Sequence, residues 1–146
     1  MIHVAIIGAA GLSGLELIRI LARHPRVKLE ALTSGKYAGQ SVGEAFPELS
    51  RVTLKFQPHD AVLNGGGSGC EVAFLAVPNQ ASLEMAPRLL KQGVKVIDLS
   101  GVFRLKDVAV FEKRYGLKQT APDALREAVF GLPEAYRQTL IDFRNA

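Results

Sequence analysis

Apolar residues along the chain cluster in blocks separated by more polar stretches. The longer blocks, rich in β-branched residues, cover residues 2–7, 27–33, 71–77 and 94–99, and a shorter one covers 52–56. The nearly continuous apolar run at residues 2–7 is typical of a parallel strand that is covered on both faces. The pattern therefore predicts five strands, of which the third is short.

Segments with helical spacing follow several of these blocks. From Leu12 onward the apolar positions Leu15, Ile18 and Leu21 share one helical face. Pro25 ends this helix, because the residue before a proline disfavours helical backbone. The further predicted helices cover residues 82–92, 107–115 and 121–128.

Strands that alternate with helices predict an α/β fold. We expect a Rossmann-like, doubly wound and mainly parallel sheet with helices on both faces. A length of 146 residues predicts one domain over residues 1–146. Residues 37–49 read as an irregular connection, and residues 131–133 break the pattern near the end.

The stretch between the first strand and the first helix is a glycine-rich turn with glycines at Gly8, Gly11 and Gly14. In a strand–turn–helix context such glycines indicate dinucleotide binding. Gly8 permits a tight turn, Gly11 permits backbone to approach a pyrophosphate, and Gly14 permits the helix to pack on the sheet. The helix N-terminus adds amide donors and a positive dipole end.

The end of the second strand predicts which cofactor is preferred. Sites that prefer NAD carry an acidic residue about 20 positions beyond the glycines, where it binds the ribose 2′-hydroxyl. Here Thr33, Ser34, Gly35 and Lys36 occupy that region, so hydroxyls and an ammonium group replace the carboxylate. This composition favours NADP(H).

Composition adds little that is specific. The net charge of +4 suits an anionic ligand without indicating nucleic acid, and no apolar run approaches the ~18 residues of a membrane span. The single cysteine, Cys70, excludes an internal disulfide, and the three histidines lack metal-ligand spacing. With no leader pattern before the first strand, we expect a cytoplasmic protein that binds no metal, no membrane and no nucleic acid. The glycine run at residues 64–69 lacks a P-loop lysine and is interpreted as a flexible surface connection.

Several motifs in order resemble one family, the N-acetyl-γ-glutamyl-phosphate reductases, over nearly the whole chain. They are the glycine turn, residues 33–34 with 38–39, and the stretches 74–78 (FLAVP), 96–100 (VIDLS), 103–105 (FRL), 115–116 (YG) and 128–134 (AVFGLPE). The resemblance implies an NADPH-dependent reductase of arginine biosynthesis that converts a small-molecule acyl phosphate into N-acetylglutamate semialdehyde. It leaves a homo-oligomer open.

The resemblance also implies a set of cofactor-binding residues. The glycine turn would hold the pyrophosphate, the end of the second strand would lie by the adenosine ribose, and the ends of the last two strands would lie toward the nicotinamide. The predicted cofactor-binding residues are Gly8, Ala10, Gly11, Leu12, Ser13, Gly14, Thr33, Ser34, Lys36, Ala76, Pro78, Asn79 and Ser100.

This chain departs from the family pattern at several of its motif positions. The family usually carries serine at Ala10, arginine at Gly35, histidine at Asn79 and aspartate at Val102. The missing arginine puts the grip on a ribose 2′-phosphate in doubt unless Lys36 substitutes for it. The margin by which NADP(H) is preferred should therefore be smaller than the family norm.

The family's nucleophilic cysteine lies in an Asn-Pro-Gly-Cys motif that this sequence does not contain, and Cys70 is interpreted as a small buried side chain. Because acyl-phosphate reduction requires a thiolate, we expect these 146 residues to bind cofactor without turnover and assign no catalytic residue. A non-catalytic dinucleotide-binding or regulatory module is the alternative. A short-chain dehydrogenase is set aside, because no tyrosine is followed by lysine four residues later.

Overall fold

The computed structural model describes residues 1–66 and 69–145. The chain divides into two compact units, Met1–Ser100 and Gly101–Ala146. The first unit contains the sheet with three helices, and the second unit contains three further helices.

The first unit is built on a five-stranded parallel sheet. Its strands are β1 (Ile2–Ile7), β2 (Val27–Thr33), β3 (Phe56–Gln57), β4 (Val72–Leu75) and β5 (Lys95–Asp98), in the spatial order β3-β2-β1-β4-β5. Every pairing between neighbouring strands is parallel, which confirms the predicted Rossmann-like fold class. All carboxyl ends of the strands therefore lie at one edge, with β1 at the centre.

Helices α1 (Leu12–Leu21), α2 (Val42–Ala45) and α3 (Asn79–Lys91) complete the first unit. The four successive β1 residues Val4–Ile7 are each no more than 2% exposed. Neighbouring strand residues point to opposite faces, so both faces of the central strand are covered. One apolar core cluster joins Ile6 of β1, Ile18 of α1, Leu32 of β2 and Phe56 of β3.

The prediction of a third strand at residues 52–56 is wrong in its extent. Only Phe56 and Gln57 pair with the end of β2. The preceding residues turn around α2 instead, because the amide of Val52 donates to the carbonyl of Leu49 and the carbonyl of Leu54 accepts from Val42. Their apolar character serves packing against the core rather than strand pairing.

The connection at residues 37–49 contains more structure than predicted. Helix α2 begins with a capping box in which the Ser41 hydroxyl accepts from the Glu44 amide and the Glu44 carboxylate accepts from the Ser41 amide. A 3-10 turn at Pro47–Leu49 follows. The glycine run at residues 64–69 was predicted to be a flexible connection. Its first three residues belong to a π-helical turn over Val62–Gly66, and Gly67 and Ser68 lie outside the described residues.

The second unit contains α4 (Val108–Tyr115), α5 (Pro122–Glu127) and α6 (Pro133–Asn145). The first two confirm the predicted helices to within a residue at each end, with Asp107 capping α4 through the Val110 amide. Helix α6 was not predicted, and its backbone departs from helical geometry at Tyr136. Within the described ranges, none of the helices combines the length and apolar character that crossing a bilayer requires.

Candidate cofactor-binding site

A cleft of about 300 Å³ opens at the carboxyl ends of the strands of the first unit. The glycine turn after β1, the segment after β2 and the segment after β4 contribute most of its walls. The residues that line it are Gly8, Ala10, Gly11, Ser34, Gly35, Lys36, Tyr37, His59, Ala76, Val77 and Pro78. A crevice at this edge is where open α/β sheets bind their ligands.

The three glycines of the turn occupy different environments. Gly8 has φ of +83°, and a Cβ atom built there would lie 2.3 Å from the carbonyl oxygen of Ala76. A Cβ atom at Gly14 would lie 2.4 Å from the carbonyl oxygen of Gly8, whereas one at Gly11 meets that oxygen at 3.5 Å. Gly8 and Gly14 are therefore needed for backbone packing, and Gly11 is the glycine whose added methyl the fold would accommodate.

Helix α1 begins beside this turn. Gly11 is its N-cap, with extended backbone and no side-chain cap among the described residues, and its carbonyl accepts from the Leu15 amide. The side chain of Leu12 is 92% exposed, and Leu12 and Ser13 line a separate depression with Leu17 and Leu99 rather than the cleft. Leu12 and Ser13 can therefore contribute to the cleft only through their backbone amides, which lie at the positive end of the helix dipole.

The segment after β2 is fixed by its own hydrogen bonds. Ser34 donates its amide to the carbonyl of Gln57, and its hydroxyl accepts from the Tyr37 amide. The ammonium of Lys36 lies 5.0 Å from the centre of the Tyr37 ring, which in turn packs edge-on against Phe46. The cleft wall therefore presents a buried serine hydroxyl and a lysine held over an aromatic ring.

Thr33 and His59 form a contact that the sequence analysis missed. Thr33 is fully buried beneath the cleft, and its Oγ1 lies 2.7 Å from Nδ1 of His59 and accepts from the Gly8 amide at 3.3 Å. Burial lowers the pKa of His59, an effect that the nearby charge of Asp60 partly offsets. His59 follows β3 by two residues, so the strand order, rather than any sequence spacing, brings it to the cleft.

The ends of β4 and β5 hold the remaining predicted residues. The amide of Ala76 donates to the carbonyl of Ile7, and Pro78 is the N-cap of α3, so Asn79 is the first helical residue. Ser100 donates from both its amide and its hydroxyl to the carboxylate of Asp98. Asn79 and Ser100 are not among the residues that line the cleft.

The Asp98 carboxylate also accepts a hydrogen bond from the hydroxyl of Ser82 in α3, at 2.9 Å. Ser82 is fully buried, so this bond ties α3 to the end of β5 below the surface. Asp98 lies within the VIDLS stretch at residues 96–100, and its role as a support for Ser100 was not predicted.

Comparison with known proteins places the chain in a family. A family model described as the semialdehyde dehydrogenase NAD binding domain matches residues 3–143. The chain belongs to this family. As a member of it, the chain is a domain that binds a nicotinamide dinucleotide.

Curated relatives confirm the resemblance noted in the sequence. The N-acetyl-γ-glutamyl-phosphate reductase of Polynucleobacter asymbioticus is 49% identical over 142 residues, which is 96% of this chain and 39% of that protein. The reductase of Nitrosomonas eutropha is 46% identical, over 100% of this chain and 41% of that protein. The chain thus spans about two fifths of the length of these relatives.

Solved structures support the fold of the family member. An aspartate semialdehyde dehydrogenase from Candida albicans, crystallised with NADP, has a TM-score of 0.62 at 20% identity, over 74% of this chain and 32% of that one. KijD10, a 3-ketoreductase from Actinomadura kijaniata, has a TM-score of 0.54 at 17% identity, over 80% of this chain and 36% of that one.

 At these identities the two likenesses concern the fold alone.

The cysteine of this family member lies far from the cleft. Cys70 precedes β4, at the amino-terminal edge of the sheet, whereas the cleft lies at the carboxyl edge. Six residues of extended chain separate Cys70 from Ala76, a span of roughly 20 Å. Burial, together with the nearby charge of Glu30, raises the pKa of the Cys70 thiol. The side chain is half-buried rather than buried as expected, and both causes of the raised pKa disfavour the thiolate.

The residues present fit a dinucleotide. The approach of Gly8 to Ala76 leaves no room for a side chain, the space outside Gly11 is open, and the amides at the start of α1 face the same turn. No carboxylate is present among the described residues that line the cleft. Within the described part of the chain, no group of three or more histidine, cysteine or acidic side chains is arranged to hold a metal ion.

Proposed function

We propose that the chain is the NADP(H)-binding domain of an N-acetyl-γ-glutamyl-phosphate reductase that acts in arginine biosynthesis. The similarity to curated reductases over 96–100% of the chain supports the reductase assignment. The observation that carries the choice of NADP(H) is the wall after β2, where Ser34 and Lys36 line the cleft and the described lining residues include no acid. A carboxylate there would repel a ribose 2′-phosphate, whereas hydroxyl and ammonium groups attract it.

The glycine turn and the start of α1 are proposed to hold the pyrophosphate. Gly11 and the first amides of α1 lie at the end of the helix that attracts anions. Gly8 and Gly14 act indirectly, because their missing side chains let the turn lie against Ala76 and against α1. Ala10, which also lines the cleft, offers no hydroxyl to a phosphate.

The segments after β4 and β5 are proposed to approach the nicotinamide. Pro78 lines the cleft and Asn79 begins α3 beside it. Ser100 would be held in position by the two hydrogen bonds that it donates to Asp98, which Ser82 also anchors. When bound, NADPH supplies the hydride for reduction of the acyl group.

The chemistry of the whole reductase requires a thiolate that displaces phosphate from the acyl phosphate. Cys70 does not suit this role, because it lies at the opposite edge of the sheet and its thiol has a raised pKa. We therefore expect the 146 residues to bind the cofactor but not to reduce the substrate. The small-molecule acyl phosphate is proposed to bind to residues of the reductase outside this sequence.

Titration of the chain with NADPH and with NADH tests the proposal. The chain contains no tryptophan, so the fluorescence of the reduced nicotinamide can be followed without overlap from indole. We expect NADPH to bind several-fold more tightly at low salt, because an exposed charge contact such as that of Lys36 is worth about 0.2–1 kcal/mol. The preference should shrink at high salt. Tighter binding of NADH would overturn the assignment of NADP(H), and binding of neither would overturn the cofactor site.

A further inference from the structure

We propose that His59 is a specificity-determining residue that donates a hydrogen bond from Nε2 to the phosphate on the adenosine ribose, with Thr33 as its positioning residue. The inference rests on the proposed function, since it concerns the part of the cofactor that distinguishes NADP(H) from NAD(H). His59 lies more than 20 residues beyond the end of β2 in sequence. It would be a third donor to the phosphate, beside Ser34 and Lys36.

The imidazole ring of His59 lies at the wall of the cleft that follows β2. His59 lines the same cleft as Ser34, Gly35 and Lys36. A Cβ atom built on Gly35 would lie 4.0 Å from Nε2 of His59, so this nitrogen faces the segment that follows β2. Because Gly35 has no side chain, nothing from this residue covers Nε2 on the cleft side.

The other ring nitrogen is hydrogen-bonded within the protein. Nδ1 of His59 lies 2.7 Å from Oγ1 of Thr33, a fully buried residue whose hydroxyl oxygen already accepts from the Gly8 amide. The Gly8 amide takes one of the two acceptor sites of this oxygen, and in the proposed arrangement the Thr33 hydrogen donates to Nδ1. A neutral ring that accepts at Nδ1 carries its proton on Nε2. In this arrangement Nε2 is the donor that Thr33 holds toward the cleft.

The charge state of the ring agrees with this arrangement. Burial lowers the pKa of His59, which keeps the imidazole neutral at neutral pH and lets Nδ1 remain an acceptor. The charged groups near the ring are Lys36, which shares the cleft wall, and Asp60, which follows it in sequence and is exposed. Asp60 is not among the lining residues, so no described carboxylate competes for Nε2 inside the cleft.

The donors on this wall match a phosphate group. A phosphate monoester presents three acceptor oxygens and up to two negative charges. The wall offers a hydroxyl from Ser34, an ammonium from Lys36 and the N–H of His59, three donors of different chemistry around one space. A ribose 2′-hydroxyl in the same place has a single oxygen and no charge, so it gains much less from this set. His59 should therefore affect NADPH more than NADH.

The experiment compares the wild type with His59→Ala and with a matched control, His24→Ala, which removes an exposed histidine after α1. Each is titrated with NADPH and NADH, and with adenosine 2′,5′-bisphosphate and ADP. The last two share adenosine and a 5′-phosphate and differ in whether the second phosphate is on the ribose 2′-oxygen or on the 5′-phosphate. We expect His59→Ala to weaken NADPH and the 2′,5′-bisphosphate about tenfold or more, the scale of one hydrogen bond to a charged group. NADH and ADP should change by less than about twofold, and His24→Ala should leave all four affinities unchanged.

Equal losses of NADPH and NADH in His59→Ala would overturn the role of His59 while leaving the proposed cofactor site intact. Failure of the wild type to bind either cofactor would instead overturn the proposed function itself. Thermal melts accompany every titration. His59→Phe, which keeps a planar ring without a donor, repeats the test with the same expected losses if the alanine variant does not fold.

The positioning role of Thr33 has a readout of its own. Nitrogen NMR of the His59 ring distinguishes the two neutral tautomers, and we expect the Nε2–H form in the wild type. Thr33→Val removes the hydroxyl and should lower the share of that form, whereas Thr33→Ser keeps a hydroxyl and should retain the wild-type share. A wild-type ring protonated on Nδ1, or a tautomer that Thr33→Val leaves unchanged, would contradict the positioning role.

Discussion

The close approach of α1 to the glycine turn gives the sharpest prediction about stability. In Gly14→Ala the new Cβ atom would lie 2.4 Å from the carbonyl oxygen of Gly8 and 2.6 Å from two backbone atoms of Ala9. Ordinary contact begins at 3.4 Å, so the new atom is 1.0 Å too close to the Gly8 oxygen. All three neighbouring atoms belong to the backbone, so no side chain can rotate away. The start of α1 must shift from the turn instead.

The expected loss is the balance of two effects. Overpacking of this kind costs about 1–3 kcal/mol, and replacing glycine by alanine in a helix returns about 0.5–1 kcal/mol. A clash with three backbone atoms lies in the upper part of the overpacking range, about 2–3 kcal/mol. The net loss is therefore roughly 1–2.5 kcal/mol, which lowers the melting temperature of a chain of this size by about 2–10 °C. Because the shift also displaces the first amides of α1, cofactor affinity should fall as well.

Gly11→Ala is the matched variant, three residues earlier in the same turn. Its Cβ atom would meet the Gly8 oxygen at 3.5 Å, and Gly11 has a φ of −79° that alanine readily adopts. Its free energy of unfolding should stay within about 1 kcal/mol of the wild type. Its methyl stands on the open side of the turn, so affinity for NADPH should drop about tenfold or more, which is 1.4 kcal/mol.

Differential scanning calorimetry and cofactor titration separate the two variants. We expect Gly14→Ala to lose both thermal stability and affinity, and Gly11→Ala to lose affinity alone. A Gly14→Ala protein that melts at the wild-type temperature would refute the argument from close backbone approach. A Gly11→Ala protein that binds NADPH as tightly as the wild type would refute the placement of the pyrophosphate.

Three further predictions concern single side chains. Lys36→Ala should reduce NADPH affinity several-fold at low salt and leave NADH affinity unchanged. The control Lys95→Ala, which removes the same charge from an exposed position in β5, should change neither affinity. An equal loss of affinity for both cofactors in Lys36→Ala would contradict the prediction. Because the pKa of His59 is lowered in the folded chain, the unfolded chain binds more protons below about pH 7. The free energy of unfolding should therefore fall as the pH drops from about 7 to 5. Denaturant melts at several pH values should show a weaker dependence of this free energy on pH in His59→Phe. Ser41→Ala should cost about 1 kcal/mol in the same melts by removing one half of the capping box, and an unchanged midpoint would count against that box.

Most of the sheet was predictable because the local sequence pattern indicates its longer strands. Residues 2–7 are apolar except for His3, residues 27–31 alternate between apolar and charged positions, and the structure has strands over 2–7 and 27–33. The third strand was not predictable in its extent, because residues 52–55 are apolar at alternate positions for packing against α2 and the core. A pattern of hydrophobic residues records burial, and burial does not distinguish a strand from an extended loop that lies on a core.

The cleft was predictable only where its residues follow a strand directly. Ser34 and Lys36 come after β2, and Pro78 comes after β4, so strand ends alone indicate their location. His59 follows a strand of two residues that the sequence pattern placed earlier, and its contact with Thr33 depends on the pairing of β3 with β2. A signal did exist, since His59 is a polar residue just beyond a predicted strand, but its partner could be found only from the strand order.

Amide chemical-shift mapping during titration with NADPH would show whether the cleft at the carboxyl ends of β1, β2 and β4 is the cofactor site. We expect the largest shifts in residues 8–14 and 34–37 and at positions 76, 77 and 79, with further shifts at His59. Shifts centred on the separate depression lined by Leu17, Ile20 and Leu99, with the amides of the glycine turn unmoved, would contradict this assignment.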